Sequence, residues 1–513
     1  MRRVIFYKIL VVVFIALSVF GCKNKSEMNG DNSIVVALDG NPTNLDPRYA
    51  TDAYSSRITP LVYTPLFQLN KNSELEPVLC TEYEQVDDVT YIFKLKKGIT
   101  FHRGEPFTAR DVKYTYEYIM DKDNKSPHFG SFDKIDKIEI IDDYTIKIKL
   151  KEPFISFMLT TTRGIVPFGY DKDKLENEPN GCGAFSIEEF LPGEKIVLKA
   201  NESYFEGRPN LDYAIFKVIE NSTTRMLELK KGSVDLMLNS VPAYAVKFVE
   251  RMEGIDVITE PGITFQYIGY NLTSPKLRDV RVREAVSHAI DRDEIIKFSL
   301  KGLAIKAGGM ILAPSNWAYE PDVKKYGYNI EKAKKLLDEA GYKDPDGTGP
   351  RPRLHLTFKT SKSKEANEIA QIYRAQLQKV GIDLEVLSYE WGTFFGDVKS
   401  GNFEIYSLRW IGIVDPDIFY YVFHTASFPP AGANRNLYKN PIMDDLIEQS
   451  RREQDKKKRK ELYSYIQRIA AEDIIYTPLW YVKNVVAINK KFKGFIIYPG
   501  GQYTSLKDVY IEK

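Results

Sequence analysis

The change of hydrophobic period between residues 354 and 387 restricts the architecture of this chain more than any other feature. "LHLTFK" alternates apolar and polar residues as a strand does, and residues 365–380 then place Ile369, Tyr373, Leu377 and Val380 on one side of a helix. Gly381 stops that helix, and "IDLEVL" resumes a strand pattern. Strand, helix and strand with links this short make a right-handed parallel unit, which belongs in an open α/β sheet. Two further helices support the assignment. Val282, Ala285, Val286, Ala289 and Ile290 share a face after Asp279, a candidate N-cap, and Ala333, Leu336, Leu337 and Ala340 share one before Gly341. The region from about residue 270 to residue 481 is therefore predicted to be an open α/β sheet.

The chain before it has a different character. "SIVVAL", 33–38, reads as a buried strand followed by the turn-forming "DGNPTNLDP". Between residues 75 and 150 the pattern is antiparallel: Tyr91, Phe93 and Leu95 alternate with polar residues, as do Ile146, Ile148 and Leu150. A helix interrupts this block, opening at Thr108 with Asp111 as capping partner and carrying Val112, Tyr116 and Ile119 on one face. At 513 residues the chain exceeds the roughly 250–300 residues at which single cores stop growing, so two lobes with a satellite sheet are expected. The 72 basic residues balance 70 acidic ones, and a net charge of +2 excludes nucleic acid as a natural partner.

Arg2, Arg3 and Lys8 precede an apolar run at 9–20 that ends in "VFGC". Basic flank, short apolar core and small residues form a secretory signal, too short for the roughly 20 apolar residues of a comfortable membrane span. The run resembles a bacterial lipobox, with Val19 and Gly21 ahead of Cys22, which would carry the lipid after cleavage; an uncut membrane anchor is the plainer alternative. Residues 22–32 read as a flexible tether. Cys80 and Cys182 remain in an exported body where a disulfide is permitted, and spacing alone leaves a bond and two independent buried thiols both open.

Enzyme readings find no anchor. The five histidines show neither HExxH nor HxH spacing, and GxSxG, GxxxxGK[ST] and GxGxxG are absent, so no metal, cofactor or catalytic residue is expected. "DPDG" at 344–347 is a turn, and "DKKKRK" at 455–460 is the solvated face of a helix. "GCGAF" at 181–185 is a weak glycine loop.

The window "RWIGIVDPDIFYY", 409–421, is richer. "NFEIYSLRW" reads as a strand, so Trp410 onward leaves its carboxyl end, the edge where open α/β sheets bind ligands. "DGNPTNLDP", with Asn41 and Asn44, and "YEWGTFFGD", with Trp391, leave other strands in the same sense. Three loops can thus line one cleft, with Arg409, Trp410 and Asp415 contributed by the window. The alternative is that the tryptophans are core anchors and that Asp415 and Asp417 cap a turn around Pro416.

Taken in order, "PTNLDPRYATD", "LVYTPLFQLN", "YIFKLKKGITFHRGEPFTARDVKYTYE", "GCGAFSIEEF", "YIGYNLTSPKLRDVRVREAVSHAIDRDEII" and "DPDIF" resemble the family 5 solute-binding lipoproteins of ABC importers, the dipeptide- and oligopeptide-binding type. The resemblance covers the whole chain after the tether. It implies an α/β, two-lobed periplasmic-binding-protein fold with a hinge, its first lobe enlarged by an extra α+β subdomain. The implied boundaries are 1–21 signal peptide, 22–32 tether, 33–69 with 179–263 and 488–513 as the first lobe, 70–178 as the subdomain and 264–487 as the second lobe. Tyr270 and Asn271 fall in the quoted segments and join the expected ligand contacts.

In the family, an Asp in the loop after the tryptophan holds the ammonium of a bound peptide. Here that loop is one residue shorter and Ile413 lies at the corresponding place, leaving Asp415 to take the role or the solute to be something other than an ordinary free peptide. The expected function is capture of a peptide or peptide-like solute for a membrane permease and its ATP-hydrolysing subunits, by a monomer lipid-anchored in the cell envelope. The alternatives are a binding protein for an oligosaccharide, a metal chelate or an opine-like compound, and a receptor presenting ligand to a signalling partner.

Overall fold

The computed structural model describes residues 32–347 and 349–512, so the signal segment, Cys22 and nearly all of the tether lie outside the described residues. The period change becomes a strand Leu354–Ser361, a helix Lys364–Gln378 and a strand Ile382–Tyr389, with the strands paired in parallel. Ser363 caps the helix by accepting the Ala366 N–H, and Ile369, Tyr373 and Leu377 are buried beneath it.

This unit is one end of a sheet that runs through the molecule. Its strand order is 382–389, 354–361, 405–410, 255–270, 476–489, 236–238, 33–38, 213–218, 195–200 and 185–191. The two long strands, Ile255–Tyr270 and Tyr476–Asn489, tie the halves together. Beyond Thr264 the first pairs with both its long partner and the strand Ile405–Trp410; before Glu260 it pairs with the partner stretch that also meets Leu236–Leu238. The register shifts between Glu260 and Thr264, a bulge in this long strand. Gly262 sits in it because a Cβ there would stand 2.3 Å from the Val482 carbonyl oxygen.

The antiparallel block is a separate sheet in the order 80–87, 90–95, 145–150 and 135–142. The helix Ala109–Met120 covers one face, entered through a capping box in which the Thr108 hydroxyl and the Asp111 carboxylate exchange backbone partners. Val112, Tyr116 and Ile119 meet Phe93, Ile146 and Ile148 in its core.

Some expectations fail. Cys80 and Cys182 are both free, so the alternative of a disulfide is discarded in favour of independent thiols. The Cys80 thiol donates to the Glu82 carbonyl at 3.0 Å, and burial pushes both thiols up to about 12. The helix containing Val282 ends at Ala289, because Asp291 caps a new helix Arg292–Phe298 by accepting the Glu294 N–H. "WGTFFGD" is the start of a helix, Trp391–Ser400, instead of a loop. Phe394 and Val398, four residues apart, bury one face of it and override the low propensity of Gly392 and Gly396.

Candidate functional site

Two adjacent cavities lie along the junction of the halves. The larger, of about 470 Å³, has Asp39, Arg225 and Ser240 on one wall and Lys301, Lys364 and Glu368 on the other. The smaller, of about 270 Å³, is lined by Gln266, Trp391 and Arg409, and both share Glu365 and Ile369. Chain geometry places these groups directly: Asp39 follows the buried strand Ser33–Leu38, and Lys364 and Glu365 form the first turn of the helix of the parallel unit.

The walls are held firmly. Arg225 donates to the carbonyls of Ile219, Glu220 and Ser240, which fixes the 239–244 segment; burial lowers its pKa. Asp39 accepts from the Tyr54 hydroxyl at 2.9 Å. Arg409 Nε donates to Gln266 Oε1 at 2.6 Å, and its other end meets Glu365 at 3.1 Å. The cleft thus offers charges of both signs, amide groups and the ring of Trp391, which is 57 % exposed. Such a set recognises a polar solute by hydrogen bonds and stacking.

The predicted contacts distribute unevenly. Trp391 and Arg409 both line the smaller cavity. Trp410 backs it from inside the core, its ring stacked on Tyr267. Tyr270 does not reach it: the residue is fully buried with its hydroxyl on Thr477, because its strand turns that face into the core. Asn271 is spent on structure, its amide donating to the carbonyls of Gly401 and Phe403 and its oxygen accepting from Thr273. Asn41 accepts the Gly193 N–H at 2.8 Å, and Asn44 closes a turn onto the Asp46 N–H beside a separate small cavity. Asp415 accepts from Ser156 Oγ and from the Asp417 N–H, turned toward the antiparallel subdomain. Ile413 packs against the core of its own lobe.

Residues 74–429 match the model of the bacterial extracellular solute-binding proteins, family 5. The chain belongs to this family. It is 30% identical to AppA of Bacillus subtilis (strain 168), an oligopeptide-binding protein, over 95% of this chain and 93% of AppA. The solved structure of AppA from Bacillus subtilis in complex with a nonapeptide superposes with a TM-score of 0.82 at 29% identity, covering 94% of this chain and 99% of the other. DppA from Helicobacter pylori in complex with the peptide STSA superposes with a TM-score of 0.81 at 30% identity, over 94% of this chain and 98% of DppA.

As a family 5 solute-binding protein, the chain has a two-lobed fold whose cleft is the natural place for solute. Sequence reasoning missed Asp39, Arg225, Ser240, Gln266 and Glu365 on its walls. Asp39 had a signal, since it is the first residue after a buried strand. Arg225 and Gln266 had none, being an ordinary helix residue and an ordinary strand residue whose positions depend on packing.

Proposed function

We propose that this protein is the extracytoplasmic binding subunit of an ABC importer, capturing a peptide or peptide-like solute and handing it to a membrane permease served by ATP-hydrolysing subunits. The observation that carries the reading is that Glu365 and Ile369 line two adjacent cavities, one reaching Asp39 and Ser240 and the other Trp391 and Arg409. A solute touching both walls favours the closed arrangement by its differential affinity, and the hinge at the Glu260–Thr264 register shift absorbs the motion. The nonapeptide and STSA complexes of AppA and DppA support a peptide.

On this reading the lobes are 33–69 with 179–263 and 488–513, and 264–487, with 70–178 as the subdomain. Residues 1–21 direct export, Cys22 carries the lipid, and the protein works as a monomer at the outer face of a membrane, binding solute without converting it. Trp391 and Arg409 touch the solute and Trp410 supports them. A thermal-shift screen tests the reading: peptides should raise Tm by linkage. A rise with oligosaccharides or metal chelates and none with peptides would overturn it.

A further inference from the structure

A further cavity, of about 300 Å³, is lined entirely by residues between 290 and 478 and shares none of them with the two cavities at the junction. Arg292 stands in its wall, 6 % exposed, and burial lowers its pKa to about 10. Its Nε donates to the Pro478 carbonyl at 2.7 Å, and Nη1 donates to the carbonyls of Ser287, Ile290 and Tyr326. Those bonds hold the side chain in place, yet every acceptor is neutral and Nη2 has none among the described residues. A guanidinium has five N–H donors, so the pair on Nη2 is unspent. The lysines of the same wall divide. Lys306 meets Asp293 at 2.6 Å and Lys324 meets Glu284 at 3.1 Å, while the exposed Lys325 is in no ion pair among the described residues. Asp293, the acid in the wall, is thus already taken, and Arg292 and Lys325 are left without a carboxylate of their own.

The backbone supplies a second observation. After the strand Ala304–Lys306, Gly308 and Gly309 run against Tyr319, whose ring lies 2.6 Å from where a Cβ on Gly309 would stand. Two successive glycines also leave no side chains to cover the amides there. Gly309 and Met310 are buried, and neither N–H finds an acceptor among the described residues, although the Met310 carbonyl accepts the Leu312 N–H at 2.7 Å. Buried N–H groups without acceptors are rare, because leaving one unpaired costs about as much as a lost hydrogen bond. Both residues line the cavity that Arg292 and Lys325 line. Unspent donors together with two positive charges call for a compact dianion rich in acceptor oxygens.

We propose that Arg292, Lys325 and the N–H groups of Gly309 and Met310 hold a phosphate group, free or carried on a small molecule, at a site separate from the solute cleft. A phosphate monoester carries close to two negative charges at neutral pH and three strong acceptor oxygens, which match two cations and two amides. A guanidinium already fixed through Nε and Nη1 loses little freedom when Nη2 binds. The helix Arg292–Phe298 begins at this cavity and ends at the larger junction cavity, which Phe298 lines, so one element reaches both sites. The phosphate site does not depend on what the cleft captures.

Hydrogen exchange read by mass spectrometry on the purified protein tests the site, with inorganic phosphate, glycerol 3-phosphate and succinate each added at matched ionic strength. Amides without acceptors exchange fast, so inorganic phosphate or glycerol 3-phosphate should slow the segment 306–312 by about tenfold, and succinate should slow it far less. Slowing by glycerol 3-phosphate alone puts the group on a small molecule, and slowing by inorganic phosphate alone makes the free ion the ligand; either supports the site. Lys325→Glu, an exposed change that leaves the carbonyl bonds of Arg292 in place, should abolish the slowing with the unliganded Tm little changed. Unchanged exchange with all three anions, equal slowing by succinate, or slowing that persists in Lys325→Glu overturns the site. Peptide capture is read separately, by the Tm shift with peptides, and stands or falls on its own.

Discussion

Ser156 Oγ donates to Asp415 Oδ1 at 2.9 Å across 259 residues of sequence, tying the chain just after the antiparallel sheet to the loop that follows the strand Ile405–Trp410. Around this bond the Ile155 N–H reaches the Arg451 carbonyl, the Arg451 guanidinium lies over Phe154 and Tyr420, and Arg451 Nε stands 2.8 Å from Asp417. The two aspartates flanking Pro416 therefore brace one part of the molecule against another. On the lobe boundaries proposed above, Ser156 and Asp415 lie on opposite sides of the hinge, so this contact is expected to part when the lobes separate.

A contact made in the closed arrangement contributes to solute affinity without touching solute. Ser156→Ala removes a hydrogen bond to a charged acceptor, for which about 1.5 kcal/mol, or roughly tenfold in Kd, is the expected loss. Titration calorimetry with the peptide giving the largest thermal shift measures it. An unchanged Kd would show that the bond persists in the open arrangement.

Asp417 supplies a pH signature. Burial raises its carboxyl to about 7, against the pull of Arg451 and with a further push from Asp415 and then Glu448. A folded-state pKa above the unfolded value means that the folded protein holds the proton more tightly. The resulting stabilisation is complete below about pH 4 and is lost as pH rises through about 7. Melting curves between these limits should show Asp417→Asn losing that downward component relative to the natural protein; parallel curves would contradict the assignment.

The two body cysteines should be inert. With both thiols buried and their pKa pushed up to about 12, the thiolate is scarce at neutral pH. Iodoacetamide is expected to label Cys80 and Cys182 only after denaturation, with Tm unaffected by reductant. A mass two hydrogens lower on the native protein would reveal a bond instead.

Gly181 marks a close passage of two chain segments. A Cβ there would stand 2.0 Å from the Val62 carbonyl oxygen, next to the Gly183 N–H that donates to the same oxygen at 2.8 Å. Gly181→Ala should cost roughly 1–3 kcal/mol or unfold the region, as backbone cannot yield as a flexible side chain does. Urea denaturation provides the measurement.

Much of the fold was legible along the chain. The 3.6-residue stripe through Ile369, Tyr373 and Leu377, the cap at Ser363, the Thr108–Asp111 box and the alternation of Ile146, Ile148 and Leu150 all became the elements they suggest. These features depend on neighbours within a few residues, so local stereochemistry and the need to bury one face are enough to determine them. The sequence by itself also determined the family, because its motifs recur in order over nearly the whole chain.

The site was another matter. Nothing local distinguishes Asp415, which meets Ser156, from Asp39, which faces the cleft; nor Tyr270, turned into the core, from Trp391, turned outward. Arg435 reads as one more surface cation until Trp410 and Phe395 close around it. These assignments follow from which segments the long strands bring together, and that juxtaposition is set by packing between residues far apart in sequence. Only the tertiary structure decided which polar groups found partners within their own walls and which were left facing a cavity.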